Sequence, residues 1–135
     1  MMTTPLKTID AELRIYRGQL SSRRGWRMEP GGVSCVFGTR YGNPFECGSL
    51  VAEDAIALFR TNLARMAEHP NQWRTWGYYH EKRPECNGRL SLYLGPLIWA
   101  RIDQPQTVLY CRCSIEHACH CDELGRALAG FLRRP

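Results

Sequence analysis

The sequence predicts a small single α/β domain over residues 1–135, a short sheet flanked by helices with a functional corner at the strand ends. Three observations predict it. Short β-branched and aromatic runs bounded by Gly or Pro alternate along the chain with apolar stripes at helical spacing. A length of 135 residues suits one domain, which at that size buries enough surface to fold alone. No internal repeat or low-complexity segment breaks the pattern, and residues 69–89 read as an irregular insertion rather than a second domain.

Taken in order, residues 13–16 (LRIY) alternate as a strand does, a helix being the other reading, and Arg17-Gly18 reads as the exit. Residues 21–32 (SSRRGWRMEPGG) form a loop carrying Arg23, Arg24, Trp26 and Arg27. Residues 33–37 (VSCVF) have the composition of a buried strand. In GTRYGNPF, residues 38–45, Gly42 supplies a permissive backbone and Pro44 holds Asn43 out of the helical region, which predicts a sharply shaped turn.

Ser49 is placed to cap a helix from residue 50 to about 68. Glu53 and Asp54 suit its positive end, and Ile56, Phe59, Leu63 and Met66 make one apolar stripe. Residues 90–102 are apolar but interrupted by Gly95-Pro96, which favours a helix starting at Pro96 over a continuous one. Residues 107–111 (TVLYC) read as a strand. A last helix runs from about residue 122 to 132, with Leu124, Leu128, Phe131 and Leu132 as its stripe.

No apolar run approaches the roughly 18 residues of a spanning helix, and the N-terminus lacks a signal core, so a cytoplasmic chain without membrane contact is expected. The seven cysteines are an odd number, and clustered thiols in a reducing compartment point to metal or redox chemistry rather than disulfides. The formal charge is +5, with 18 Lys and Arg against 13 Asp and Glu, and only Lys7 and Lys82 are lysine. The guanidinium fork suits phosphate and carboxylate, so a nucleotide or nucleic acid is a fitting partner, against the plainer reading of a solvated surface.

The chemistry concentrates in YCRCSIEHACHCDELGRAL, residues 110–128. In a strand Cys111 and Cys113 project to one face, and Cys119, His120 and Cys121 fall where the chain turns into the last helix. Together they offer a complete ligand set, for which zinc is the default metal because it takes sulfur and nitrogen tetrahedrally. Two other readings stand beside it. Cys119 or Cys121 at a helix N-terminus would be a reactive thiol with His120 or His117 as base, or the cysteines are simply small core residues. Cys35, Cys47 and Cys86 read as bystanders, any of which could lend a distant ligand.

Two blocks carry a family resemblance: Thr39-Arg40-Tyr41-Gly42-Asn43-Pro44-Phe45 before one helix, and Cys111-Arg112-Cys113 with Cys119-His120 before another. They resemble the small bacterial and phage family of unknown function catalogued as number 4326. That family pairs a Ser-Arg/Lys-Trp-Gly-Asn-Pro-Phe block with a Cys-Trp-Cys then Pro-Cys-His-Gly-Asp block. This chain has Arg112 where the family favours Trp and Cys121 where it has Gly. The resemblance implies a compact α/β domain whose two blocks converge on one site, and brings no established activity.

At that site Arg40, Gly42, Asn43 and Arg112 are the candidate ligand-binding residues, Arg40 clamping a phosphate or carboxylate and Asn43 offering its amide. The plainer alternative leaves Arg40 solvated and has Asn43 cap its own turn. Three functions follow as expectations. The first is a zinc-binding α/β protein engaging a nucleotide or nucleic acid. The second is a metal- or cysteine-dependent enzyme on a nucleotide or modified base, with Cys119, His120 and Asn43 catalytic. The deaminase pattern of H-x-E with P-C-x-x-C is not met. The third is a phage or mobile-element protein that blocks a host factor through Trp73, Trp76, Tyr78 and Tyr79.

Overall fold

The computed structural model describes residues 5–36, 39–43, 52–68 and 89–134. Among them the elements run β1 (Leu6–Asp10), β2 (Ile15–Gln19), β3 (Gly32–Ser34), α1 (Ala52–Glu68), α2 (Leu90–Ala100), β4 (Thr107–Cys111) and α3 (His120–Leu132). The four strands form one mixed sheet in the order β1-β2-β4-β3. β1 pairs antiparallel with β2, while β2 and β3 flank β4 in parallel, with Gly18 and Ser34 opposite Tyr110 and Gln19 opposite Cys111. This is the small α/β domain the sequence implies, and its three parallel strands end on one edge, beside the start of α3.

The first strands differ from expectation. The hairpin turn occupies residues 11–14, where Arg14 takes a left-handed φ of 55°, so the strand begins at Ile15 and no helix forms there. Arg17 and Gly18 lie inside β2 rather than ending it. Gly18 is needed there because a side chain at that position would enter the Tyr110 ring of the neighbouring strand. β1 was not expected from LKTID. It is an edge strand, and Ile9 supplies its packing by meeting α3 at Gly125. β3 is shorter than residues 33–37 and starts at Gly32, although Cys35 N–H still donates to Tyr110 O at 2.7 Å.

α1 follows its stripe, with Ile56, Phe59, Leu63 and Met66 all buried. Its proposed cap, Ser49, lies outside the described residues, as do Pro44, Phe45, Cys47, Cys86 and the whole aromatic segment with Trp73, Trp76, Tyr78 and Tyr79. α2 corrects the expectation that a helix starts at Pro96: it begins at Leu90 and carries Pro96 inside it. The reason is distant in sequence. A proline at position 96 cannot donate to the carbonyl of Leu92, and Arg40 takes that donor's place, its Nη2 lying 2.7 Å from Leu92 O. Arg40 also donates to Tyr93 O, which accepts the Tyr41 hydroxyl at 2.9 Å as well.

β4 is fully buried, as its composition requires. α3 starts two residues before Asp122, at His120, with Cys119 as its extended N-cap at φ −150° and ψ 155°. One core cluster joins Ile15, Leu109 and Cys111 of the sheet to residues of all three helices. Gly125 of α3 is so close to Ile9 and Ile15 that no larger residue fits between them. No helix among the described residues is long and apolar enough to cross a membrane.

Candidate metal centre

Cys111 is the last residue of β4, and its sulfur points to the helical side of the sheet. Cys119, His120 and Cys121 arrive from the start of α3. Consecutive residues normally diverge, but the chain changes from extended backbone at Cys119 to helix at His120, and this turn brings all three inward. The ligand atoms of Cys111, Cys119, His120 and Cys121 lie within 4.8 Å of one another. Each of the four residues is buried, none being more than 4% exposed.

The histidine is held by its far nitrogen. Its Nε2 lies 2.9 Å from Cys35 O and 3.1 Å from Tyr41 O. Carbonyl oxygens only accept, so Nε2 carries a proton, and in the neutral imidazole Nδ1 is then the lone-pair nitrogen. That lone-pair nitrogen lies 3.5 Å from Cys119 Sγ. Phe59 of α1 closes the pocket with its ring at 5.2 Å and nearly perpendicular to the imidazole. Metal-bound histidines are commonly oriented in this way, the second nitrogen donating to a backbone carbonyl.

The three thiols act on one another. Hydrogen bonds from the Cys119 thiol first, and the Cys121 thiol second, hold Cys111 far below the ordinary thiol range. The same contact with Cys111 pushes Cys119 up, and contacts with Cys111, Cys119 and Cys35 together with burial push Cys121 up. Three sulfurs and an imidazole gathered in a buried site are a soft donor set that a metal cation satisfies.

A buried ion pair fixes the ligand loop. Arg17 of β2 is 0% exposed, and its Nη1 donates to Asp122 Oδ2 at 2.9 Å. Its Nη2 donates to the carbonyl of Ser114, in the loop between Cys113 and Cys119. Asp122 Oδ2 in turn accepts the backbone N–H of Cys119 at 3.1 Å, and Lys7 Nζ stands 3.3 Å from Oδ1. One carboxylate thus positions a ligand's backbone, and one guanidinium ties the loop to the sheet.

The candidate residues separate into groups. Cys111, Cys119, His120 and Cys121 come together, whereas Cys113 is half-buried beside Cys111, sulfur to sulfur 3.8 Å, and outside the group of four. Asn43 is 0% exposed and donates from Nδ2 to Ala55 O at 2.9 Å, and Gly42 is buried next to it. The Asn43 bond ties the turn to α1, as Arg40 and Tyr41 tie it to α2. Because Tyr41 O accepts from His120, the first motif block does meet the second, through backbone rather than side chains. Arg112 is exposed, and so is His117.

Sequence reasoning missed the roles of Arg17 and Asp122, and named Cys35 only as a bystander able to lend a distant ligand. Cys35 flanks the cluster at Cys121, but nothing in VSCVF marks it as a neighbour of a helix 85 positions away. Arg17 looked like a strand exit and Asp122 like an ordinary helix-start acid. A basic residue amid apolar neighbours, with an acid three residues after a cysteine, is the one signal available. Protein-family models, curated proteins and solved structures were all compared with the chain, and none matches it. The functional reading therefore rests on the geometry of the chain itself.

Proposed function

We propose that this is a zinc-binding protein in which Cys111, Cys119, His120 and Cys121 form a structural Cys3His centre, holding the sheet edge of a domain that engages a nucleotide or nucleic acid. The observation that carries the metal reading is the convergence of three sulfurs and the His120 ring within 4.8 Å of one another in a buried site, with Nδ1 3.5 Å from Cys119 Sγ. Three sulfurs and one imidazole suit zinc's tetrahedral preference. Four protein donors leave no open position for water, and Cys119 is only 1% exposed, which favours a structural role over a nucleophilic one. The polyanion part is supported by the excess of arginine and by the exposed Arg112 beside the centre.

The test is elemental analysis of protein purified without chelators. About one zinc per chain is expected, as structural sites of this type bind a single ion. His120→Ala should lose it, while Cys113→Ala should keep it. Fully folded protein that carries no metal and takes up none from added zinc would refute the reading.

A further inference from the structure

We infer that the loop of residues 20–31, which lies over Tyr110 on the sheet face opposite the helices, binds single-stranded nucleic acid, with Trp26 as a stacking platform and Arg23, Arg24 and Arg27 as phosphate contacts. This rests on the polyanion reading above and names its surface and ligand class. The two faces of the sheet are unlike. Ile15, Leu109 and Cys111 belong to the core cluster shared with all the helices, whereas Val108 and Tyr110 do not, although both are 0% exposed. The loop of residues 20–31 lies over Tyr110. Trp26 packs on Tyr110 with ring centroids 5.4 Å apart and planes at 88°, and Glu29 N–H donates to Tyr110 Oη at 3.0 Å.

Glycines make this seat. Gly18 and Gly32 lie on either side of Tyr110: a Cβ on Gly18 would enter the phenol ring, and one on Gly32 would meet Met28, the Glu29 carbonyl and the ring together. The indole is therefore braced from beneath while remaining only half-buried. Tyr16, opposite Val108 in the register, adds a second half-buried aromatic ring on the same face, and Met28 is 38% exposed there. Aromatic rings on a sheet, framed by cations, give unpaired bases a π-surface and their phosphates a partner. A duplex, whose bases are already stacked, has no use for the indole.

Charge points the same way. Arg23, Arg24 and Arg27 are all exposed within one loop, where Glu29 is the one carboxylate. The loop also joins the metal centre, since Leu20 N–H donates to Cys111 O at 2.9 Å and the exposed Arg112 follows directly. Tyr110 and Cys111 are neighbours on opposite faces of β4, so the strand anchored by the metal below carries the platform above.

The experiment measures fluorescence anisotropy of zinc-loaded full-length chain with a labelled oligothymidylate of about 16 nucleotides, the matching oligouridylate, a mixed-sequence duplex and polyglutamate as acidic control. Single strands should bind more tightly than duplex. The double variant Arg24→Ala, Arg27→Ala should bind at least about ten-fold more weakly, with the slope of log affinity against log salt reduced by about 1.4, or about 0.7 per lost phosphate contact. Trp26→Ala should lose about five-fold or more through stacking, with the salt slope retained. Zinc content and circular dichroism should match the parent in the arginine variant, which touches no core residue.

Undiminished single-strand binding by the arginine and Trp26 variants would overturn this surface and leave the nucleic-acid reading intact. Equal affinity for duplex, or for polyglutamate, would overturn the single-strand assignment. No binding of any nucleic acid at low salt by the zinc-loaded parent would overturn the polyanion reading and this inference together.

Discussion

Removing zinc is expected to unfold the chain at ambient temperature. Structural zinc sites supply apparent free energies of about 10–16 kcal/mol, while a domain of this size is stable by only about 5–15 kcal/mol in total. The centre also stands where its loss cannot be absorbed locally. It joins the end of β4 to the start of α3, which packs against β1, β2 and α1. Without metal, three buried sulfurs crowd beside an imidazole with no cation to bind them together. Circular dichroism melts before and after chelation should show the cooperative transition lost, and recovered on adding zinc. Cys119→Ala should reproduce the loss, while Cys113→Ala should not. An unchanged melting midpoint after metal removal confirmed by elemental analysis would contradict a structural centre.

Asp122→Ala should cost about 3–5 kcal/mol in zinc-saturated protein, the usual consequence of leaving a buried charge without its partner. Arg17 is wholly buried and keeps only the Ser114 carbonyl, and the N–H of Cys119 loses its acceptor. Arg17→Met is expected to cost less, because Asp122 retains Lys7 and the Cys119 amide. Replacing both by apolar residues of similar volume should approach the parent's stability. Since the carboxylate orients a ligand's backbone, Asp122→Ala should also weaken zinc affinity by about 10–100-fold. Urea denaturation gives the first quantity and competition with a chelator the second. A stability loss of less than about 1 kcal/mol, the scale of an ordinary hydrogen bond, would show that the pair is not buried as described.

The legible parts of the fold were those whose signal is local. The stripe of Ile56, Phe59, Leu63 and Met66 marks α1 because each side chain meets the same core, and TVLYC marks β4 because a central strand is buried on both faces. What could not be read depends on distant partners. Arg17 inside β2 makes sense only with Asp122, 105 positions away. Pro96 inside α2 is tolerated because Arg40, 52 positions earlier, occupies the carbonyl that the proline cannot serve. LKTID lacks a strand's alternation, and an edge strand needs little more than Ile9 to be held.

The site divides in the same way. The density of cysteine and histidine in residues 110–128 marks the candidate ligands directly. Which four donors converge is decided by the extended N-cap at Cys119, which turns His120 and Cys121 inward together, and by the end of β4 at Cys111, beyond which Cys113 is no longer held in strand register. The turn with Arg40 and Asn43 was read for its side chains. Its described contact with the centre is a backbone one, Tyr41 O receiving the His120 proton.

X-ray absorption at the zinc edge examines the centre without disturbing it. The expected first shell is three sulfurs at about 2.3 Å and one nitrogen at about 2.0 Å, unchanged in Cys113→Ala. Four sulfurs would place Cys113 or Cys35 in the site in place of His120, and an oxygen-rich shell would mean that the Cys3His cluster does not hold the metal.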